Sequence, residues 1–258
     1  MSQEEGQYEA MMARLRTEMK MRNAIQQDDV ATVRTMLDEG EITLDGADGG
    51  PDGFNVLHHA VGAGKAAVVQ MLLEYGGKDK AAAPLNKVAV NGSPLHMAAI
   101  SGFADVAKLL LEAGADPNHR DRLMQVTPLF HCTGRNTPGT IEVARLLIEH
   151  GVDVNATNVV QRSVLHIDVR GPPPNEDVYK LILASGPNTN LPDRNGDTPL
   201  HLAASSGNAV TVRLLLEHGA DPSLVNAEGK TAWQCAHDNA KGFNDSMALI
   251  DEYRSKST

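Results

Sequence analysis

Apolar residues recur along this chain in short blocks at helical spacing, two blocks to a unit, with polar and glycine-rich stretches between units. The clearest unit spans 193–226, DRNGDTPLHLAASSGNAVTVRLLLEHGADPSLVN. Arg194-Asn195-Gly196 is a turn signal, and Thr198-Pro199 predicts a helix start, with the hydroxyl as cap and Pro in the first helical position. Leu200, Ala203 and Ala204 give that helix one apolar side, and Gly207 ends it. A second helix is predicted from Ala209 to His218, with Val212, Leu215 and Leu216 on one face, and Gly219 suits its C-terminal end. Such a unit cannot bury its apolar side alone, so it requires neighbours.

The neighbours are in the chain. The same register starts at Asn55 (NVLHHA), Ser93 (SPLHMAA), Thr127 (TPLFHC), Ser163 (SVLHID), Thr198 (TPLHLAA) and Thr231 (TAWQCA), at intervals of 38, 34, 36, 35 and 33 residues. Second helices follow as VVQMLLEYG, VAKLLLEAGAD, VARLLIEHGVD, VYKLILASG and VRLLLEHGAD. With its period near 33, its T-P-L-H and its G-A-D, the pattern resembles the ankyrin repeat over about residues 18–255. The resemblance implies an all-α solenoid of about seven helix-turn-helix units with projecting hairpin-like fingers. The expected organisation is a disordered tail at 1–7 and one domain at 8–255. Its repeats fall at roughly 8–50, 51–88, 89–122, 123–158, 159–193, 194–226 and 227–255.

Composition narrows the function classes. A hydrophobic content of 41% with only 3% aromatic suits thin, closely stacked helices. Cys132 and Cys235 fall in first helices of non-adjacent repeats, so no disulfide is expected, and the expected location is cytoplasmic or nuclear. No apolar run reaches membrane-spanning length, so no membrane insertion is expected. A formal net charge of -10 argues against general nucleic-acid binding. The chain is expected to be a monomer on its own.

From Tyr8 to about Gln27 the sequence predicts a helix in which Tyr8, Met11, Met12, Leu15 and Met19 form one stripe beside Arg14, Arg16, Lys20 and Arg22. The stripe suits a basic arm that grips a partner helix or a membrane surface. It also suits a cap over the open end of the array, and the cap is the preferred reading. Ala24, Ile25, Val30, Val33, Met36 and Leu37 then read as a degenerate first repeat. Glu41–Gly53 and Gly76–Gly92 are long connections. Phe54 fills the slot before the T-P-L-H register, which in the resembled family faces outward. It is a candidate binding anchor, or it folds back over the long loop.

The fourth and fifth repeats depart most from the pattern. Finger four presents Arg120, Arg122, Leu123, Met124 and Val126, and finger five presents Val159, Val160 and Arg162. Arg135 and Arg170 replace small residues at the concave ends of the first helices, and Ile100 lies on the concave side of repeat three. Arginines around an apolar centre form the pattern of an interface, and Arg suits bidentate capture of carboxylates. The competing expectation is that some of these residues pack between fingers and that the arginines pair with Asp121 or Asp193. The inserts GRNTPGT and GPPPNED either lengthen the binding edge or are tolerated surface loops.

His131, Cys132 and Asp168 could in principle form an activated thiol or part of a metal site. Their slots match core positions such as Leu202 and Ala203, so neither catalysis, metal nor cofactor is expected. His58, His96, His166 and His201 fill the H of T-P-L-H; Phe130 and Gln234 replace it in repeats four and seven. In the resembled family that imidazole bonds the neighbouring finger's backbone. Asn155, in LIEHGVDVN, occupies the position that some family members offer to an asparaginyl hydroxylase. The resemblance therefore implies a protein–protein scaffold or adaptor whose partner carries acidic groups around an apolar centre. Two alternatives stand beside it: an inhibitor or assembly chaperone that masks a partner surface, and a fixed component of a large assembly.

Overall fold

Most first helices begin where a capping side chain meets a residue three positions on. The computed structural model describes residues 3–44, 53–80, 85–89, 92–134, 137–166, 175–238 and 244–256. Ser93 caps the helix Pro94–Ser101: its amide and hydroxyl lie 3.2 and 2.8 Å from Nδ1 of His96. Asn55, Thr198 and Thr231 start helices in the same reciprocal way, with His58, His201 and Gln234 as partners. An orphan amide of each new helix is thereby paired inside the protein.

Among the described residues the helices are α1 (Gln3–Gln26), α2 (Val30–Asp38), α3 (Val56–Gly62), α4 (Ala66–Lys80), α5 (Pro94–Ser101), α6 (Ala104–Glu112) and α7 (Pro128–Thr133). They continue as α8 (Thr140–Glu149), α9 (Glu176–Ala184), α10 (Pro199–Ser205), α11 (Ala209–Glu217), α12 (Ala232–His237) and α13 (Asn244–Lys256). Each second helix buries one apolar face, as α6 does with Val106, Ala107, Leu110 and Leu111. α5 packs on α3, α6 and α7, and α6 packs on α4 and α8, so the two helix layers interlock from unit to unit. One continuous apolar core results, from Met21 to Ile250.

The fifth unit is built differently. Tyr179 of α9 is fully buried where α6 and α8 carry Ala107 and Ala144, and its hydroxyl donates to the carbonyl of Leu165 at 3.2 Å. The ring fills the volume and the hydroxyl satisfies a buried carbonyl.

Three sequence expectations change here. Gln3–Gln7 belong to α1 instead of a disordered tail, because the helix runs without interruption from Gln3. The second long connection starts later than Gly76, since α4 continues to Lys80. Of the stripe Tyr8, Met11, Met12, Leu15 and Met19, Met12 is half-buried and the other four are exposed, and the turn carrying Met21, Ala24 and Ile25 packs against the array instead. Pro172–Pro174 and most of the first long loop lie outside the described residues.

Candidate protein-binding surface

Four of the fingers owe their shape to one Asp or Asn at the base: Asp121, Asn158, Asp193 and Asn226. Asn158 Oδ1 accepts the amides of Val160 and Arg162, both at 3.0 Å, and Asn158 N donates to the Arg162 carbonyl at 2.9 Å. Asp193 and Asn226 close 193–197 and 226–230 in the same manner. Asp121 closes finger four, but its backbone bond runs to Val126, five residues on instead of four. That extra residue pushes the tip outward. Leu123 is 71% exposed and Met124 45%, whereas the neighbouring Val159 is 37% exposed.

The tips are joined side to side. Val159 N donates to the Met124 carbonyl at 3.0 Å, Arg194 N to Val160 at 3.2 Å, and Ala227 N to Asn195 at 2.9 Å. Leu123, Met124 and Val159 therefore lie on two linked tips. Gln125 and Gln161 adopt φ of 56° and 61° at the turn position that Gly196 and Gly229 occupy in the next fingers. A left-handed backbone disfavours Gln by roughly 1 kcal/mol, so these two fingers hold a conformation that the glycine-bearing fingers adopt freely. In the repeat register Gln125 and Gln161 stand where later fingers carry Gly196 and Gly229, and the meaning of that exchange depends on φ.

The arginines divide into two groups. Arg120 donates to the carbonyls of Gln125 at 3.1 Å and Thr157 at 2.6 Å, tying finger four to finger five. Arg162 Nε donates to Asp193 Oδ2 at 2.9 Å, where the Asp193 side chain is only 2% exposed. Both heads serve packing between fingers, which is the competing expectation stated above. Arg122 is exposed and has no ion-pair or hydrogen-bond partner among the described residues. Arg135 and Arg170 lie outside the described residues.

Val126 is a correction: it is 7% exposed and its carbonyl faces His96 Nε2 at 3.0 Å, so its side chain is withdrawn from the tip. Val160 and Ile100 are half-buried. Phe54 is half-buried as well, stacked on His58 at 5.5 Å and edge-on to His59 at 5.6 Å, so it turns onto its own helix start instead of standing outward. Val225, 57% exposed beside the last finger, fits the repeat pattern and carries no distinguishing signal in the sequence.

Asn155 Oδ1 accepts the amide of Asn188 at 2.7 Å. Asn118 does the same for Asp153, and Asn190 for Asp221, forming a ladder from repeat to repeat. The Oδ1 of Asn155 is thus engaged in the scaffold, while the residue itself is exposed.

Cys132 is fully buried, and burial pushes its thiol up to about 12, which is the opposite of an activated nucleophile. His131 lies edge-on to His96 at 5.8 Å, and Asp168 lies outside the described residues. Among the described residues no cluster of His, Cys, Asp and Glu has the geometry to hold a metal ion.

Stacked helix pairs, linked fingers and a bridging histidine at four unit junctions define a helical repeat solenoid whose exposed loops are its chemically distinctive part. The ankyrin repeat model matches residues 21–121, 81–158 and 165–250, and the chain belongs to that family. Human ankyrin repeat and SOCS box protein 6 is 33% identical over 163 residues, covering 60% of this chain and 38% of that protein. Palmitoyltransferase AKR1 of Lachancea kluyveri is 30% identical over 225 residues, covering 83% of this chain and 28% of the relative. The chain thus spans well under half the length of these relatives, and the enzymatic name belongs to a much longer protein. The ankyrin repeat domain of Bcl-3 superposes with a TM-score of 0.70 at 23% identity, covering 90% of this chain and 97% of that one. The human ASB11 ankyrin repeat domain gives 0.69 at 24%, covering 89% and 96%. The ankyrin repeat is generally a protein-interaction module without catalysis of its own. No described helix is long and apolar enough to cross a membrane.

Proposed function

We propose that this chain is a protein-recognition scaffold that holds its partner at the ends of fingers four and five. The observation that carries the reading is the exposed apolar group Leu123, Met124 and Val159 on two hydrogen-bonded tips, with Arg122 beside it. Pre-organised tips limit the ordering cost of binding, and an apolar centre with a basic rim suits an acidic, apolar partner surface. Arg120 and Arg162 contribute indirectly, by fixing the spacing between the tips. Ile100 and Val160 serve as secondary contacts, Arg135 and Arg170 are further candidates on the sequence reading alone, and Phe54 plays at most a peripheral part. The partner is bound without chemistry, as an adaptor would bind it, in the cytoplasm or the nucleus.

Affinity capture from a cell extract tests this by comparing the wild type with Arg122→Glu/Leu123→Asp at two salt concentrations. The reading requires a partner that the double variant loses and that high salt weakens. A partner retained by both proteins would refute the placement. An effect on the captured partner's activity would distinguish a masking inhibitor from a neutral adaptor.

A further inference from the structure

The N-terminal helix carries a second apolar surface, remote from the fingers and independent of the reading above. Tyr8, Met11, Leu15 and Met19 are 61, 52, 44 and 64% exposed, whereas Met21, Ala24 and Ile25 of the same helix are 4, 6 and 1% exposed. At 3.6 residues per turn, Tyr8, half-buried Met12, Leu15 and Met19 fall on one narrow stripe, roughly 160° around the helix from the buried trio. α1 therefore packs on α2 and α3 by its last turns and turns its long apolar stripe away from the array.

The charges along α1 say what fits the stripe. Glu5 and Glu9 precede its centre, and Arg14, Arg16, Lys20 and Arg22 follow it. Lys20 pairs with Glu41 at 2.8 Å and Arg22 pairs with Glu18 within the chain, so Arg16 is the basic group left beside the stripe. Glu9 and Arg16 are exposed and two turns apart on the same edge. A parallel copy would set like charges level with one another. An antiparallel copy sets Tyr8 of each chain against Met19 of the other and Met12 against Leu15, and Glu9 of each chain then flanks the seam beside Arg16 of the other. The 4-3-4 spacing of residues 8, 12, 15 and 19 is that of a helix-pair seam. The array packs on the side of α1 opposite the stripe, which leaves the stripe open to a second helix.

We infer that α1 is a self-association helix, which pairs antiparallel with α1 of a second copy of this chain through Tyr8, Met12, Leu15 and Met19. The pair is short and belongs with small, reversible interfaces below ~1,200 Å². This replaces the expectation of a monomer.

Light scattering on the full chain over about 1–100 μM tests the inference. The mass should rise with concentration from 27.6 kDa toward twice that value, and Leu15→Glu/Met19→Glu should remain at the chain mass with an unchanged circular dichroism spectrum. Glu9→Arg and Arg16→Glu should each weaken the dimer by about tenfold, and an equimolar mixture of the two should restore it. That rescue occurs only when residue 9 of one chain meets residue 16 of the other. The inference is overturned by a chain that stays monomeric at 100 μM, including one that binds anionic vesicles through this face. It is also overturned by a dimer that survives Leu15→Glu/Met19→Glu, or by single variants that their mixture does not rescue.

Discussion

Nε2 of His96 lies 3.0 Å from the carbonyl oxygen of Val126, thirty residues further along the chain. The Ser93 amide donates to Nδ1 of the same ring, so Nδ1 is the acceptor and Nε2 carries the proton. One neutral imidazole thus caps its own helix and secures the next finger. His166 and His201 repeat the device toward Asp197 and Lys230, and His58 toward Lys87.

These rings make stability depend on pH. Burial lowers His58 and His96 to about 4, and it lowers His166 as well. Depressed folded values mean that the contribution is complete above the unfolded value near 6.5 and is lost as pH falls toward 4. Urea midpoints should therefore fall steadily between pH 6.5 and 4. The carboxylates held low by their hydrogen bonds, Asp29, Asp221 and Asp238, act only below 3.8, so the two ranges separate. His96→Gln should reduce the slope across the upper range.

The asparagine ladder predicts a second stability effect. Asn118→Ala removes the acceptor for Asp153 N and the donor to the Gly151 carbonyl, and should cost about 1–2 kcal/mol in chemical denaturation. Asn155→Ala, which removes one such bond in the described structure, should cost less.

Tyr179 separates volume from hydrogen bonding. Tyr179→Phe removes only the bond to Leu165 and should cost about 1 kcal/mol. Tyr179→Ala empties a fully buried site and should cost ~3–5 kcal/mol.

The thiols should differ sharply. Cys132 should remain unmodified by a thiol reagent at pH 8 until the array unfolds, whereas half-buried Cys235 should react slowly in the folded protein. Two equivalents of fast labelling without denaturant would contradict the burial described here.

The helices and their faces were legible because a 3.6-residue period and a capping signature are local properties of the sequence. The site was legible only in part. Leu123 and Met124, assigned to finger four by slot, are exposed on a tip one residue longer than those of the next three fingers. Val126, Arg120 and Arg162 could not be placed by slot alone, because each is decided by a group on the next unit: the His96 ring, the Thr157 carbonyl or the Asp193 carboxylate. The orientation of α1 failed for the same reason. Its sequence holds two apolar faces, and only packing shows that Met21, Ala24 and Ile25 are the one the array uses.

The central claim is that a partner seats on the finger ends, and the most direct measurement is amide hydrogen exchange of the captured complex against the free chain. Slowed exchange confined to residues 120–126 and 157–162, and absent when Leu123→Asp abolishes capture, is the predicted result. Protection centred instead on α4, α6 and α8, with finger exchange unchanged, would contradict it.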